Sequence, residues 1–247
     1  MSGSDRPLLA LDASTSTGSV AVGGPEGVKA EITFDLPHRK RGIPTRAKGG
    51  HSSALLPAID HALRTIGLGP RDLGGVVVGA GPGSFTGLRI AAATAKGMVM
   101  ALQLPLLAYS SLLAAAAQAW AADRPVYALF DARGRDLFAA CYRFDEGVRA
   151  IRAPAATTLD ALMVDLATLP GALLVGDGAE RHRVELEASG HLVAPPHFHP
   201  PRASGLLWLA EVAPSVGRVA DPRAWEPEYL RPSGAERIAA AKQESGR

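Results

Sequence analysis

The sequence has a single cysteine, few aromatic residues and almost no excess charge of either sign. Because Cys141 is the only cysteine, the chain can form neither an internal disulfide nor a metal site built from several cysteines. No basic neighbour is present to lower the pKa of its thiol, so we predict a small core residue. Lysine and arginine total 26 against 24 aspartates and glutamates, which does not by itself indicate a nucleic-acid partner.

Long apolar runs are also absent. No run reaches the roughly 18 residues of a membrane-spanning helix, and the alanine-rich stretch 112–122 is too short. The first seven residues are polar and do not resemble a secretory signal. We therefore expect a cytoplasmic protein that binds no membrane. Hydrophobic residues make up 47% of the chain, and abundant alanine and glycine are typical of an α/β protein with closely packed helices.

The stretch 76–89 combines the signals for a strand, a sharp turn and a helix. Three consecutive valines predict a buried strand, and three glycines with a proline predict the turn. The small residues that follow predict a helix over 88–103. This order places backbone N–H groups at a helix N-terminus, where many proteins bind phosphate.

A dinucleotide site is the first hypothesis for such a turn, and two observations contradict it. Ser84 stands where the fingerprint has its third glycine. No acidic residue lies between Asp72 and Asp123, so the carboxylate that would bind the ribose is missing. We therefore reject the dinucleotide hypothesis.

The N-terminal residues predict an antiparallel meander of three strands, at 8–12, 19–23 and 28–34. The first strand ends in Asp12, and a turn rich in hydroxyl groups follows it. This pattern is typical of the phosphate hairpins of sugar kinases, actin and Hsp70-type proteins. There Asp12 would face a metal ion, and Ser14 and Thr15 would face a phosphate. The alternative is an ordinary hairpin whose hydroxyl groups bond to the turn backbone.

A basic segment at 37–50 contains several glycines and prolines. No acidic residue lies between Asp35 and Asp60. Such a cluster can contact RNA phosphates. Aromatic residues that would stack on bases are not interleaved with it, so an ordinary solvated loop is the alternative. The candidate RNA contacts are Arg39, Lys40, Arg41, Arg46 and Lys48.

The order of predicted elements repeats. The Asp-Ala pair that ends the first strand recurs as Asp131-Ala132 at the end of a strand over 125–132. Two strands (136–144 and 148–152), a helix around 159–166, a strand at 172–175 and a helix near 179–188 follow. The sequence therefore predicts an α/β fold with a duplicated βββαβα unit. We place the first lobe at 1–108 and a reduced second lobe at 109–202, with 203–232 packing back on the first.

Several motifs together resemble the TsaB (YeaZ) family, in order and over nearly the whole chain. They include the Asp12 hairpin, the segment 227–231 and the glycine motif 81–89, which is close to diagnostic of the family. The resemblance implies the two-lobed actin/Hsp70-like, ribonuclease H-like fold. The motif residues of the helix start and the glycine turn are His51, Gly81, Pro82, Gly83, Ser84, Phe85, Thr86, Gly87 and Arg89.

The resemblance implies a role in forming threonylcarbamoyladenosine at adenosine 37 of tRNAs that read ANN codons. In that family the paralogue TsaD transfers the threonylcarbamoyl group, and an ATPase subunit, TsaE, joins the pair. We therefore expect a non-catalytic partner of a TsaD-type subunit that meets tRNA through the complex and can form a homodimer alone. No cofactor is expected on this chain alone, and the partner interface is a candidate site for ATP or ADP.

The sequence also lacks parts of its paralogue's machinery. TsaD subunits hold a metal through an HxxxH pair, and the matching stretch 108–115 contains no histidine. His197 and His199 lie in a proline-rich link, and we expect them at the surface rather than on a metal. His51 is interpreted as a cap or packing residue. Arg133-Gly134-Arg135 replaces a second hydroxyl-rich hairpin, so no intact ATP cleft is expected. A metallopeptidase of the glycoprotease type and a stand-alone actin-like ATPase are the alternatives.

Two helices of the first lobe carry residues suited to a partner. Small side chains permit close helix packing, and methionine adapts to irregular surfaces. In the TsaB family these helices pair with TsaD, whereas packing inside the chain is the alternative. The predicted contacts are Leu55, Leu56, Ile59, Ala91, Ala92, Ala95 and Met98.

Overall fold

Two five-stranded sheets form the framework of the protein. The structure is a computed structural model that describes residues 6–35 and 52–231. In the first sheet the strand order is β3-β2-β1-β4-β5, with antiparallel β1–β2–β3 pairs and parallel β1–β4–β5 pairs. Its strands are β1 (Leu8–Asp12), β2 (Thr17–Gly24), β3 (Gly27–Asp35), β4 (Gly75–Gly79) and β5 (Leu106–Tyr109).

The second sheet repeats the arrangement of the first. Its order, β8-β7-β6-β9-β10, again places the first strand of the unit in the centre, with the meander on one side and parallel strands on the other. Its strands are β6 (Val126–Asp131), β7 (Asp136–Arg143), β8 (Arg149–Thr158), β9 (Leu173–Val175) and β10 (Leu192–Val193). The predicted duplicated α/β fold is therefore confirmed.

Helices occupy three layers around these sheets. The helices are α1 (Ser52–Thr65), α2 (Phe85–Leu102), α3 (Ser111–Ala116), α4 (Leu159–Leu166), α5 (Asp177–Arg181), α6 (Arg183–Ala188), α7 (Ala203–Val212) and α8 (Pro214–Gly217). The apolar sides of α1 and α2 cover the outer face of the first sheet. Helices α3 and α7 lie between the two sheets, and α4, α5 and α6 cover the outer face of the second sheet.

The middle layer depends on small residues. All three alanines of α3 are buried, and α7 packs against it as well as against β1 and β2. A Cβ atom on Gly205 would lie 2.7 Å from the carbonyl oxygen of Ala114, so only glycine permits this approach of α7 to α3.

The boundaries of the two lobes, predicted above at 1–108 and 109–202 with 203–232 packing on the first, stay a prediction.

Several elements differ from the sequence-based expectation, among them β10 and α8, which were not predicted. Strand β8 continues to Thr158, since an edge strand needs only backbone pairing with β7 and tolerates Pro154. Helix α3 was not predicted, because its alanine-rich sequence has no amphipathic period. The helix expected near 179–188 is divided into α5 and α6 at His182, whose backbone leaves the helical region at φ −109° and ψ 21°.

Candidate functional site

The carboxylate of Asp12 is fully buried and bonded on both oxygens. Oδ1 accepts hydrogen bonds from the backbone N–H of Ser14 at 2.8 Å and from its hydroxyl at 2.6 Å. Oδ2 accepts one from the hydroxyl of Ser111 at 2.6 Å. Burial raises the pKa of Asp12 above its ordinary value, and these hydrogen bonds oppose that rise. The side chain thus joins the end of β1 to the start of α3.

The rest of the hairpin also bonds to itself. The Thr15 hydroxyl donates to the carbonyl oxygen of Thr17 and accepts from its N–H. Ser14 and Thr15 are buried, and a Cβ on Gly79 would overlap the Asp12 carboxylate. The Thr15 contacts are of the kind that the ordinary-hairpin interpretation describes, whereas the Ser14 hydroxyl bonds to the Asp12 side chain. The phosphate-hairpin role stays a prediction.

The glycine motif closes on this same hairpin. A Cβ on Gly83 would lie less than 3.0 Å from the carbonyl oxygen of Ser14, and one on Gly87 would lie as close to that of Ala13. The N–H of Ser84 donates to the Ser14 carbonyl at 2.6 Å. These glycines therefore permit close backbone approach within the chain.

Ser84 caps helix α2, the longest helix of the described chain. Its hydroxyl accepts a hydrogen bond from the N–H of Gly87, which satisfies one of the free donors at the helix start. Gln103 ends the helix in the left-handed conformation, with φ at 55°. The motif thus fixes both the start of α2 and its position against the β1–β2 turn.

The segment 225–231, which we name the C-terminal strap, runs beside α2 and reaches the second sheet. Lys96 of α2 donates to the carbonyl oxygen of Trp225 at 2.8 Å and pairs with Glu226 at 2.9 Å. The N–H of Glu228 donates to the carbonyl of Ala80 in the glycine turn. At the far end, Arg231 pairs with Asp136 of β7 at 3.0 Å.

An aromatic pair joins the strap to the start of α2. The rings of Phe85 and Tyr229 have centroids 5.0 Å apart. The guanidinium of Arg89 lies over the Phe85 ring, 4.8 Å from its centroid. Phe85 and Arg89 belong to the glycine motif and Tyr229 to the segment 227–231. Both motifs could be identified from the sequence, but nothing in the sequence indicated that their side chains are in contact.

The structure corrects the predicted partner contacts. Five of the seven are buried in the chain's own core and so act as packing residues, namely Leu55, Ile59, Ala91, Ala92 and Ala95. Met98 is half-buried, and Leu56 is 57% exposed. The outward side of α2 instead carries residues spaced three or four apart: Thr86, Arg89, Ala93, Gly97 and Met100. We name these five residues the α2 stripe.

A shallow cleft of about 350 Å³ lies between the β1–β2 turn and the second lobe. Burial raises the pKa of Asp177 in this cleft to about 6, and the neighbouring charge of Asp131 adds to the rise. Asp131, the counterpart of Asp12, pairs with Arg181 at 2.6 Å. The cleft is lined by Thr15, Ser16, Thr17, Asp177, Glu180, Arg181, Pro196, His199 and Pro200.

His199 is buried, so the expectation that it lies at the surface was wrong. Its Nδ1 accepts a hydrogen bond from the N–H of Gly176 at 3.1 Å, and its Nε2 lies 2.9 Å from a carboxylate oxygen of Glu180. These contacts fix one neutral tautomer. Burial lowers the pKa of His199, although Glu180 opposes this effect. His199 thus attaches the proline-rich link to the second sheet, whereas His197 is exposed.

Some predicted residues lie outside the described part of the chain. These are His51 and the candidate RNA contacts Arg39, Lys40, Arg41, Arg46 and Lys48. Within 6–35 and 52–231, no three His, Cys, Asp or Glu side chains come together in a group that could hold a metal ion. Among the helices of those residues, none is both long enough and apolar enough to cross a membrane.

Comparisons with known proteins agree with the motifs. The family model of TsaD, described as tRNA N6-adenosine threonylcarbamoyltransferase, matches residues 32–208. The tRNA threonylcarbamoyladenosine biosynthesis protein TsaB of Bacillus subtilis is 28% identical over 234 residues, which are 93% of this chain and 96% of that protein. The protein of the same description from Escherichia coli is 33% identical over 141 residues, 56% of either chain.

A solved structure has the same fold. It is described as an uncharacterized protein from Pseudomonas aeruginosa with similarity to the peptidase YEAZ. It superposes with a TM-score of 0.75 and 28% identity, over 92% of this chain and all of that one. The family model covers more than half of the chain, and the TsaB relatives and this structure agree with it. The chain therefore belongs to the TsaB (YeaZ) branch of the TsaD family.

Proposed function

We propose that this protein is a non-catalytic subunit in tRNA threonylcarbamoyladenosine biosynthesis, which pairs with a TsaD-type subunit through α1 and α2. The TsaD-type subunit would carry out the transfer to adenosine 37, and a TsaE-type ATPase and tRNA would meet this chain through the complex. The proposal places the complex in the cytoplasm.

The observation that carries the proposal is the α2 stripe. Ala93 and Gly97 have little or no side chain, so a second helix can approach the α2 backbone closely there. Met100 is 50% exposed and Leu56 on the neighbouring α1 is 57% exposed, which adds apolar area to the same outer layer. Burial of such area is the main favourable contribution to protein association.

The Asp12 contacts support the non-catalytic part of the proposal. In an actin-like ATPase the equivalent carboxylate would have to face a bound metal ion and nucleotide. Here both carboxylate oxygens bond to serines, and the closed glycine turn lies directly beside them. A metal ion or nucleotide that bound at Asp12 would therefore have to displace internal contacts.

Light scattering on a sizing column tests the pairing. The full chain, the TsaD-type protein of the same organism and their mixture are compared, and we expect a one-to-one complex that replaces any homodimer. Gly97→Arg and Leu56→Asp should each abolish the complex. Gly97 is a suitable site because a Cβ there meets no atom within 4 Å, so the variant should fold.

Val184→Asp is the matched control, because Val184 is 82% exposed on α6, which covers the second sheet. If the Gly97 and Leu56 variants bind as tightly as the control, the partner face lies elsewhere. No complex with the unaltered chain, with and without ATP and tRNA, would contradict the proposal as a whole.

The two alternative functions have direct tests. ATP hydrolysis by the isolated chain that Asp12→Asn abolishes would favour an actin-like ATPase. Zinc bound at one ion per chain, with peptidase activity that a chelator removes, would favour a metallopeptidase. We expect neither activity from the chain alone.

We make a separate proposal that the basic segment 37–50 contacts RNA, because tRNA is the substrate implied by the family. Charge reversal at Arg39, Lys40 and Arg41 should weaken binding of tRNA to the complex and reduce its salt dependence. Unchanged tRNA binding would remove these residues from the RNA interface.

A further inference from the structure

The start of α2 carries a surface cluster of two aromatic rings and a guanidinium, which we name the Arg89 cluster (Phe85, Arg89 and Tyr229). Tyr229 is 38% exposed and Arg89 is exposed, so the cluster is not part of the core. Aromatic residues and arginine are the types that most often dominate the energy of protein interfaces. The cluster therefore has the residue types of an interface anchor.

The cluster is continuous with the proposed partner face. Arg89 and Thr86 are the N-terminal members of the α2 stripe, and Ala93, Gly97 and Met100 continue it at helical spacing. A helix that lies along Ala93 and Gly97 would reach Arg89 within one or two turns. The aromatic pair would then border the same contact.

The charges favour a protein over RNA as the occupant. Within residues 6–35 and 52–231, Arg89 has the Phe85 ring beneath it and no ion-pair partner, so a carboxylate from outside can pair with it. Glu226 of the strap pairs with Lys96, and the exposed carboxylate of Glu228 balances the charge of Arg89, so the described residues here carry no excess positive charge for a phosphate backbone. An RNA site would need a local excess of positive charge.

The strap holds the cluster in place. Tyr229 is fixed between two anchors, the Lys96 contacts with Trp225 and Glu226 on one side and the Arg231–Asp136 ion pair on the other. The backbone of Glu228 is bonded to the glycine turn. An interface residue that is ordered before binding loses less conformational entropy in the complex.

We infer that Tyr229 and Arg89 are anchors for the TsaD-type subunit, with Tyr229 packing against an apolar side chain and Arg89 pairing with a carboxylate of that subunit. The C-terminal strap is thus a third element of the partner face beside α1 and α2. Arg231 is a positioning residue that keeps Tyr229 at this face. This inference rests on the proposed pairing.

The test measures the affinity and the dissociation rate of the full chain for the TsaD-type protein of the same organism. Tyr229→Ala and Arg89→Gln should each weaken binding about 10- to 100-fold, mainly through faster dissociation. Tyr229→Phe should bind within about threefold of the unaltered chain, since the ring makes the contact. Val184→Ala on α6 is the matched control and should change nothing.

The positioning role of Arg231 has its own readout. Arg231→Ala should weaken binding by a smaller factor than Tyr229→Ala, and Arg231→Lys should restore much of it by keeping the ion pair with Asp136. Thermal unfolding of each variant alone shows whether it is folded. An affinity loss in a variant with unchanged thermal stability supports the inference.

Three outcomes would overturn it. In the first, Tyr229→Ala and Arg89→Gln both bind within about threefold of the unaltered chain, while Gly97→Arg abolishes the complex. The pairing would then stand, but the Arg89 cluster would not be part of its interface. Weaker tRNA binding by the complex at unchanged subunit affinity would assign the cluster to RNA. The absence of any complex would overturn this inference together with the proposed function.

Discussion

The hydroxyl of Ser111 donates a hydrogen bond to Asp12 at 2.6 Å and so connects the central strand of the first sheet to the helix between the two sheets. The same hydroxyl accepts from the N–H of Gly81, and the N–H of Ser111 donates to the Gly81 carbonyl. One serine therefore joins the Asp12 hairpin, the glycine motif and α3. This explains how a sequence pattern typical of phosphate binding can serve as a structural junction.

The first prediction concerns Asp12. Asp12→Ala should lower the free energy of unfolding by about 1–3 kcal/mol, because it leaves the buried hydroxyls of Ser14 and Ser111 without their acceptor. Asp12→Asn should cost much less, since its amide can bond to both serines and carries no buried charge. Urea unfolding of the three proteins measures the difference. Equal losses for the two variants would show that the negative charge itself is required.

The second prediction compares two glycines of α2. Gly87→Ala should lower the free energy of unfolding by about 3 kcal/mol, because its Cβ would overlap the Ala13 carbonyl and move the helix start. Gly97→Ala should stabilise it by about 0.5–1 kcal/mol, since the site is open and alanine favours a helix. Denaturant unfolding checks both values, and a tolerated Gly87→Ala would contradict the described contact.

The third prediction concerns Asp177, whose pKa is raised from 3.8 to about 6. The native state binds this proton more tightly than the unfolded chain, so the stability it contributes is complete below about pH 4 and is lost as the pH rises through 6. Stability should fall over this range by an amount on the order of 3 kcal/mol that is absent in Asp177→Asn.

The difference in unfolding free energy between the two proteins, measured at several pH values, isolates this group from the other titrating residues. The amide oxygen of the variant can still accept the hydrogen bond from the N–H of Asp131. A constant difference between pH 4 and pH 7 would show that the carboxyl of Asp177 titrates normally.

The fourth prediction concerns Cys141, which is fully buried in β7. Burial raises the pKa of its thiol to about 12, so almost no thiolate is present at neutral pH. A thiol reagent should leave the native protein unmodified and label one cysteine per chain in denaturant. Labelling of the folded protein at the rate of a free thiol would contradict this burial.

The sequence by itself determined the fold class and the family. Two short apolar runs end in Asp-Ala, and the same order of elements follows each of them, which predicts a duplicated sheet unit. The motif 81–89 is close to diagnostic of the TsaB (YeaZ) family. The sequence also indicated that Cys141 belongs to the core. These are local patterns, which depend on neighbouring residues in the chain.

Tertiary structure alone decided which side of α2 faces outward, where Asp12 points and what His199 contacts. Helix α2 has apolar residues on all sides, so its period could not show that Ala91 and Ala95 lie inward while Ala93 and Gly97 lie outward. The hydroxyl that bonds to Oδ2 of Asp12 belongs to Ser111, 99 residues away, in a helix whose alanine-rich sequence carries no periodic signal. Contacts of this kind depend on how the sheets and helices pack, so no local sequence pattern indicates them.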